Sequence, residues 1–348
     1  MTELPDPVVT RALDTVARGR DLSAEEAGEV LGRIMSGEVS PVQTAGFLVA
    51  LRTKGETVEE VVGFARTMRS LATPVPVSRA GELLDTAGTG GGRASFNVST
   101  TAALIAAGAG CVVAKHGNRS ATSLSGSADL LEALGARIDL APEAVGRCIE
   151  EAGFGFMFAP AHHRATRHVV PVRKALGVRT IFNLLGPLTN PAGAGCQLIG
   201  VSDPAFTDVI AGALRDLGAA RALIVTSDDG LDEISAAAPT RVIEVGGDGD
   251  IRRYTVTPAG LGVESVASDA VAGGTPAENA ATTRSILAGA SGPARAVALM
   301  NAGAAIYAAG RAETIAEGVE LARRAIDDGA AGAALDRFVA ATQALAPS

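Results

Sequence analysis

The sequence predicts an α/β protein in two parts: a small N-terminal helical bundle domain, then a larger α/β domain with a mostly parallel central sheet covered by helices. Three observations predict it. Residues 1–72 carry only helical patterning, Pro74 and Pro76 then break the chain, and beyond them short apolar runs alternate with helical stretches. A chain of 348 residues is too long for one ordinary domain. The expected division is 1–73 and 74–348, with a helical segment near 165–185 returning to the first part.

Three helices are expected in the first part. Ser23 and Glu26 form a capping box ahead of Ala24–Met35, and Gly37 stops that helix. Ser40 and Pro41 supply an N-cap and a first-turn proline for Val42–Arg52, which Gly55 ends. Thr57 and Glu60 box the start of Val58–Leu71, where Val58, Val61, Val62, Ala65, Met68 and Leu71 recur at helical spacing. So few helices bury little alone, so they are expected to lean on a later helix, a second copy of the chain, or both.

In the second part strands are expected at Glu82–Thr86, Cys111–Lys115, Gly155–Ala159, Gln197–Val201 and Ala222–Thr226. Helices are expected at Ser99–Ala109, Ala128–Leu134, Pro142–Ala152 and Ala205–Leu217. His168–Leu176 interrupts this rhythm as a helical piece. Residues 241–256 read as a hairpin turned at Gly246–Gly249, and 277–346 read as helical again. Ligands of such a sheet sit beyond the carboxyl ends of its strands.

Composition narrows the function. A net charge of −8 supplies no global basic field for nucleic acid, and with no Trp and two Tyr there is little for bases to stack on. Three scattered cysteines (Cys111, Cys148, Cys196) fit neither a disulfide framework nor a zinc spacing. The first residues show no secretory pattern, and the most apolar run, Ala102–Ala114, is shorter than the ~20 residues a spanning helix needs. A cytoplasmic protein is expected, with no membrane partner.

Four segments carry chemistry. The first runs from Asp85 through Gly88, Thr89, Gly90, Gly91 and Gly92 to Asn97, Ser99 and Thr100. Glycines let successive N–H groups aim at an anion, and a following helix start adds its positive end. The pattern is not the dinucleotide-binding G-x-G-x-x-G, and its plain alternative is a capped surface turn. The second holds Lys115, His116, Asn118, Arg119, Ser120, Ser123, Ser125, Ser127 and Asp129, a cation with amides and hydroxyls suited to phosphate. His116 is equally a packed residue or a proton carrier. In the third, Asp232 and Glu233 are adjacent carboxylates of the kind that hold Mg²⁺ with substrate phosphates, whereas Asp228 and Asp229 read as a solvated loop. The fourth sets Arg173 and Arg179 near the turn at Gly186 and Pro187, where an Arg fork suits a carboxylate or simply pairs on a helix surface.

In their order along the chain the four segments resemble the anthranilate phosphoribosyltransferases of tryptophan biosynthesis, over nearly the whole chain to Asn301. The resemblance implies transfer of phosphoribosyl from phosphoribosyl diphosphate (PRPP) to anthranilate, with Mg²⁺. It implies PRPP contacts at Gly88, Thr89, Gly90, Gly91, Asn97, Ser99, Thr100, Lys115 and Ser127, and a metal at Ser99, Asp232 and Glu233. It places anthranilate by Gly88, Asn118, His116, His163, Arg173 and Pro187, and implies a homodimer through the small domain. Lys115 and the metal would stabilise charge, with His116 a further candidate. Gly92 stands where the family commonly has Asp. The alternatives are a pyrimidine-nucleoside phosphorylase, which would need no metal pair, and a non-catalytic nucleic-acid-binding relative of the same fold.

Overall fold

A computed structural model describes residues 4–120 and 124–346. Ser123 lies outside the described residues. The N-terminal part has four helices: α1 (Pro7–Ala17), α2 (Ala24–Ser36), α3 (Pro41–Lys54) and α4 (Val58–Leu71). The first was not expected from sequence. Its signal is present in Asp6-Pro7, where the Asp6 carboxylate accepts from the Val8 and Val9 N–H groups and Pro7 opens the helix. Both expected capping boxes form. Glu60 is fully buried and also accepts from Leu22 N–H and Lys54 Nζ, so one carboxylate ties three helix ends together.

Seven strands form one sheet: β1 (Leu84–Gly88), β2 (Val113–Gly117), β3 (Phe154–Phe158), β4 (Cys196–Gly200), β5 (Arg221–Ser227), β6 (Thr240–Gly246) and β7 (Ile251–Val256). Their order is β3-β2-β1-β4-β5-β6-β7, the first five parallel and the β6–β7 hairpin antiparallel. The chain winds outward from β1 to β3, then restarts at β4 beside β1. The β1–β4 seam, with Gly88 opposite Gly200, is therefore the point where winding reverses and a crevice opens. β1 and β2 begin two residues later than expected, because their apolar runs start in the preceding loops, and β3, β4 and β5 begin one residue earlier than expected.

Helices α5 (Val98–Gly108), α6 (Ser127–Ala133) and α7 (Pro142–Ala152) link the first strands. Between β3 and β4 come α8 (Ala159–His162), α9 (Val170–Leu176) and α10 (Phe182–Leu188), and α11 (Thr207–Asp216) joins β4 to β5. The chain closes with α12 (Pro276–Leu287), α13 (Pro293–Ala308), α14 (Ile315–Asp327) and α15 (Ala330–Leu345). The 3-10 turn Arg164–His168 and α9 pack on α2 and α3. Alanine and glycine replace bulk in this core. A Cβ on Gly318 of α14 would overlap the Gly303 carbonyl of α13, so these helices meet backbone to backbone. Gly318→Ala is expected to cost about 2–3 kcal/mol through overpacking, read as a lowered urea midpoint.

The bundle leans on the sheet. Phe47, Leu51, Val61 and Phe64 share one buried cluster with Ile199 and Ile224 of the sheet and Ile210 and Leu214 of α11. Arg69 Nε donates to Leu188 O (2.8 Å) and Arg52 Nη1 to Arg179 O (2.6 Å), so polar ties cross the same boundary. On the outer strands Glu244 is buried and accepts from Tyr254 OH (3.0 Å), Tyr307 OH (2.8 Å) and Arg252 Nη2 (2.8 Å). No helix among the described residues is long and apolar enough to cross a membrane.

Candidate active site

Three of the four sequence segments lie at or just beyond the carboxyl ends of β1, β2 and β5, and the fourth lies on the stretch leading into β4. The glycine-rich loop leaves β1 at Gly88. Gly90 and Gly91 adopt φ of +65° and +80°, which side chains disfavour. Its carbonyls turn one way: Arg179 Nη2 binds Thr89 O (2.8 Å) and Gly90 O (2.6 Å), and Ser202 Oγ binds Gly90 O (2.9 Å). Thr89 Oγ1 accepts from Ser202 N (3.3 Å). Arg179 thus braces the loop, and of the two arginines only Arg173 is left without a loop partner.

The opposite flank of the loop meets Asp232. The Gly90 N–H donates to the Asp232 carboxylate. A Cβ on Gly88 would lie 3.0 Å from Asp232 Oδ2, and one on Gly92 2.8 Å from Oδ1. Gly92, the departure from the family pattern, therefore leaves room for this carboxylate. Burial raises the Asp232 pKa, opposed by Gly90 N–H and Arg179. Burial and then the neighbouring Asp232 charge raise Glu233 well above the ordinary range, although Ser95 Oγ (3.2 Å) and Lys115 favour its charge. Two crowded, desolvated carboxylates suit a small hard cation, and among the described residues no cluster of three or more acidic, His or Cys ligands competes for it. Asn301 of α13 bonds both Ile234 N (3.0 Å) and Ile234 O (2.9 Å), which fixes this turn.

Lys115 enters from β2 and is 1% exposed. Its Nζ donates to Thr86 O (2.5 Å) and Thr86 Oγ1 (3.2 Å) and lies 3.4 Å from Ser99 Oγ. Burial pulls its pKa down to about 8, against the opposing charges of Asp85 and Glu233. Asn97 caps α5 without a side-chain cap bond and instead joins Ser125 and Asn279. Thr100 Oγ1 is buried with no partner among the described residues. Ser127 Oγ donates to the carbonyl of Asn118, whose side chain accepts from Arg119 N.

A second group of residues gathers around α10. His116 Nδ1 lies 3.2 Å from Gly186 O, so it carries the proton, and the buried Nε2 faces no partner among the described residues. Burial, then the nearby His163, pushes His116 down to about 3, so its imidazole is neutral. His163 packs against it with ring centroids 5.1 Å apart, and its Nε2 lies 3.1 Å from Thr189 O. Arg173 covers the Phe182 ring at 5.3 Å, where burial lowers its pKa. Pro187 is buried in α10 and its carbonyl accepts from Gln197 Nε2 (2.7 Å).

Three structural residues were missed or misread. Asp229 is not a solvated loop residue: it accepts from Ser227 Oγ (2.7 Å), Ser235 Oγ (2.9 Å) and Arg93 Nη2 (3.3 Å), which closes the β5 loop. Asp85 is 1% exposed and accepts from His116 N (3.1 Å) and Asn190 Nδ2 (2.7 Å), which locks the β2 end to the turn after α10. A lone carboxylate inside an apolar strand was the available signal. Arg179 gave none, because its loop partners are backbone carbonyls.

The helical bundle domain of the glycosyl transferase family matches residues 10–72, and the a/b domain of that family matches residues 80–332. An anthranilate phosphoribosyltransferase from Rubrobacter xylanophilus is 54% identical over 342 residues, covering 97% of this chain and 99% of the relative. The solved anthranilate phosphoribosyltransferase of Thermus thermophilus superposes with a TM-score of 0.90 at 49% identity, over 95% of this chain and 99% of that one. The Saccharomyces cerevisiae enzyme in complex with PRPP and Mg superposes with a TM-score of 0.88 at 27% identity, over 98% and 99%. The chain belongs to the glycosyl transferase family and, within it, to the anthranilate phosphoribosyltransferases.

Proposed function

We infer that this chain transfers the phosphoribosyl group of PRPP to the amine of anthranilate, giving N-(5-phosphoribosyl)anthranilate and pyrophosphate. The observation that carries the reading is the meeting of a buried Lys115 with the Asp232–Glu233 pair beside one glycine-rich anion loop. Gly88, Thr89, Gly90, Gly91, Asn97, Ser99, Thr100, Lys115 and Ser127 hold PRPP in this reading. Asp232 and Glu233, with Ser99, carry Mg²⁺, which neutralises the departing pyrophosphate when bound. A yeast relative solved in complex with PRPP and Mg supports PRPP and Mg²⁺ as the ligands.

The C1–O bond to pyrophosphate breaks as the amine forms the C1–N bond, and the anilinium proton then passes to the released pyrophosphate or to water. Anthranilate's amine is neutral at pH 7, so no strong base is needed. Lys115 stabilises the charge that collects on the leaving oxygens. The unpaired Nε2 of the neutral His116 accepts the amine N–H. Gly88, Asn118, His163 and Pro187 shape the acceptor pocket, and Arg173 pairs with the anthranilate carboxylate.

Mixing the protein with PRPP, Mg²⁺ and anthranilate and following anthranilate fluorescence tests this directly. Fluorescence should fall. A folded protein that leaves it unchanged rejects the acceptor. Arg173→Ala is expected to raise the KM for anthranilate more than about tenfold and that for PRPP less than about twofold. Equal changes in both would remove Arg173 from the acceptor side.

We further propose a cytoplasmic homodimer. Val42 and Val49, one face of α3, are 81% and 40% exposed, which supports association through the small domain. Sedimentation velocity at micromolar protein reads this, and a monomer throughout would reject it.

A further inference from the structure

We propose that Asn279 is a positioning residue for the phosphoribosyl donor, acting through Asn97. The proposal rests on the PRPP reading above.

Asn279 lies in the first turn of α12 and is 3% exposed. Its Oδ1 accepts from the backbone N–H of Gly274 (2.8 Å). A backbone N–H can only donate, so the amide orientation is fixed and Nδ2 faces away. That Nδ2 donates to Asn97 Oδ1 (2.8 Å). Asn97 Nδ2 in turn donates to the backbone carbonyl of Ser125 (3.0 Å), an acceptor only. The chain Gly274 N–H to Asn279 to Asn97 to Ser125 O therefore runs in one direction, pinned by backbone at both ends. Ser125 Oγ adds a second donor to Asn97 Oδ1 (3.0 Å).

This relay joins three separate segments. Asn97 ends the glycine-rich loop, Ser125 belongs to the loop after β2, and Asn279 belongs to the C-terminal helices. The strap leading to Asn279 also grips the glycine-rich loop. Arg93 bonds the side chain and carbonyl of Ser268, and Phe96 N–H donates to Val271 O (3.2 Å). A Cβ on Gly273 would overlap Ser95 O, so the strap lies directly against the loop. The Asn97 amide has two N–H groups, and Ser125 uses one. Asn279 and Ser125 hold that amide from its two ends, and in this reading Asn279 keeps the remaining N–H aimed at a phosphate oxygen of PRPP.

Asn279→Asp separates the two ends of the relay. It keeps the shape and the acceptor for Gly274 N–H, but it sets a carboxylate against Asn97 Oδ1 in place of a donor. PRPP·Mg affinity, read by calorimetry on the whole chain, is expected to weaken about tenfold. The KM for anthranilate should change less than about twofold. Asn97→Ala removes the middle link and should weaken PRPP similarly. In the double variant Asn279→Asp should add less than about twofold, because its route is already cut. Unchanged PRPP affinity in Asn279→Asp, or full additivity in the double variant, overturns the proposal. If Asn279→Asp does not fold, Asn279→Ser decides: its short side chain cannot donate to Asn97 Oδ1, so about tenfold weaker PRPP affinity is expected and unchanged affinity overturns the proposal. Wild-type protein that binds PRPP but leaves anthranilate untouched fails the acceptor reading and leaves this test readable.

Discussion

Lys115→Met is expected to lower kcat/KM for PRPP by about a thousandfold while leaving thermal stability unchanged or higher. The two halves have one cause. Lys115 is buried among Thr86, Ser99 and Asp85, where burial disfavours its charge and pulls the pKa from 10.5 to about 8. Methionine fills similar space without a charge to desolvate, and the buried Asp85, whose pKa burial already raises, can take up a proton once its counter-charge is gone, so the fold loses little. The reaction loses its preorganised cation, and removing one such group costs about 10²–10³ in rate. Stability carries a matching signature. Between pH 8 and 10.5 the unfolded lysine holds a proton that the folded one has released, so wild-type stability at this site rises with pH across that window. Lys115→Met should lack that rise in urea titrations at about pH 7.5 and 9.5. Wild-type kcat/KM should instead fall as pH passes about 8. A Lys115→Met enzyme within about tenfold of wild type would remove Lys115 from the charge-stabilising role.

Glu233→Gln is expected to raise the Mg²⁺ concentration for half-maximal activity more than about tenfold and to lower kcat about a hundredfold. Without ligand the same variant should melt at a higher temperature, because burial and the Asp232 charge already oppose ionisation at this position. A folded carboxyl with a raised pKa destabilises the protein once pH rises past its unfolded value, because the unfolded carboxyl ionises first. The gain should therefore be present at pH 7 and fade as pH falls below the unfolded value of 4.5. Titrating Mg²⁺ against initial rate, and melting curves at about pH 4 and 7, read both. An unchanged Mg²⁺ response would move the metal elsewhere.

The parts of the fold and of the site legible in sequence are those where local chemistry dictates local shape. The Ser23–Glu26 and Thr57–Glu60 boxes fixed two helices because cap and partner sit three residues apart. Glycines at 88–92 announced a phosphate-type loop because glycine readily takes the turn at Gly90 and Gly91. What sequence could not show is long-range pairing. Arg179 to the loop carbonyls spans about ninety positions, and Asn279 to Asn97 spans 182. Such contacts depend on strand order, which no local pattern encodes. Asp229 misled for the opposite reason: it looks like its exposed neighbour Asp228, and only the fold of the β5 loop turns it inward.

The Glu244 cluster on the outer strands has an optical consequence. The chain has no tryptophan, and both of its tyrosines donate their hydroxyls to that one carboxylate. A phenol bonded to a carboxylate loses its excited state by proton transfer and emits weakly. Emission from the chain is therefore expected to be weak, so the fluorescence of anthranilate mixed with the protein should be readable with little tyrosine background.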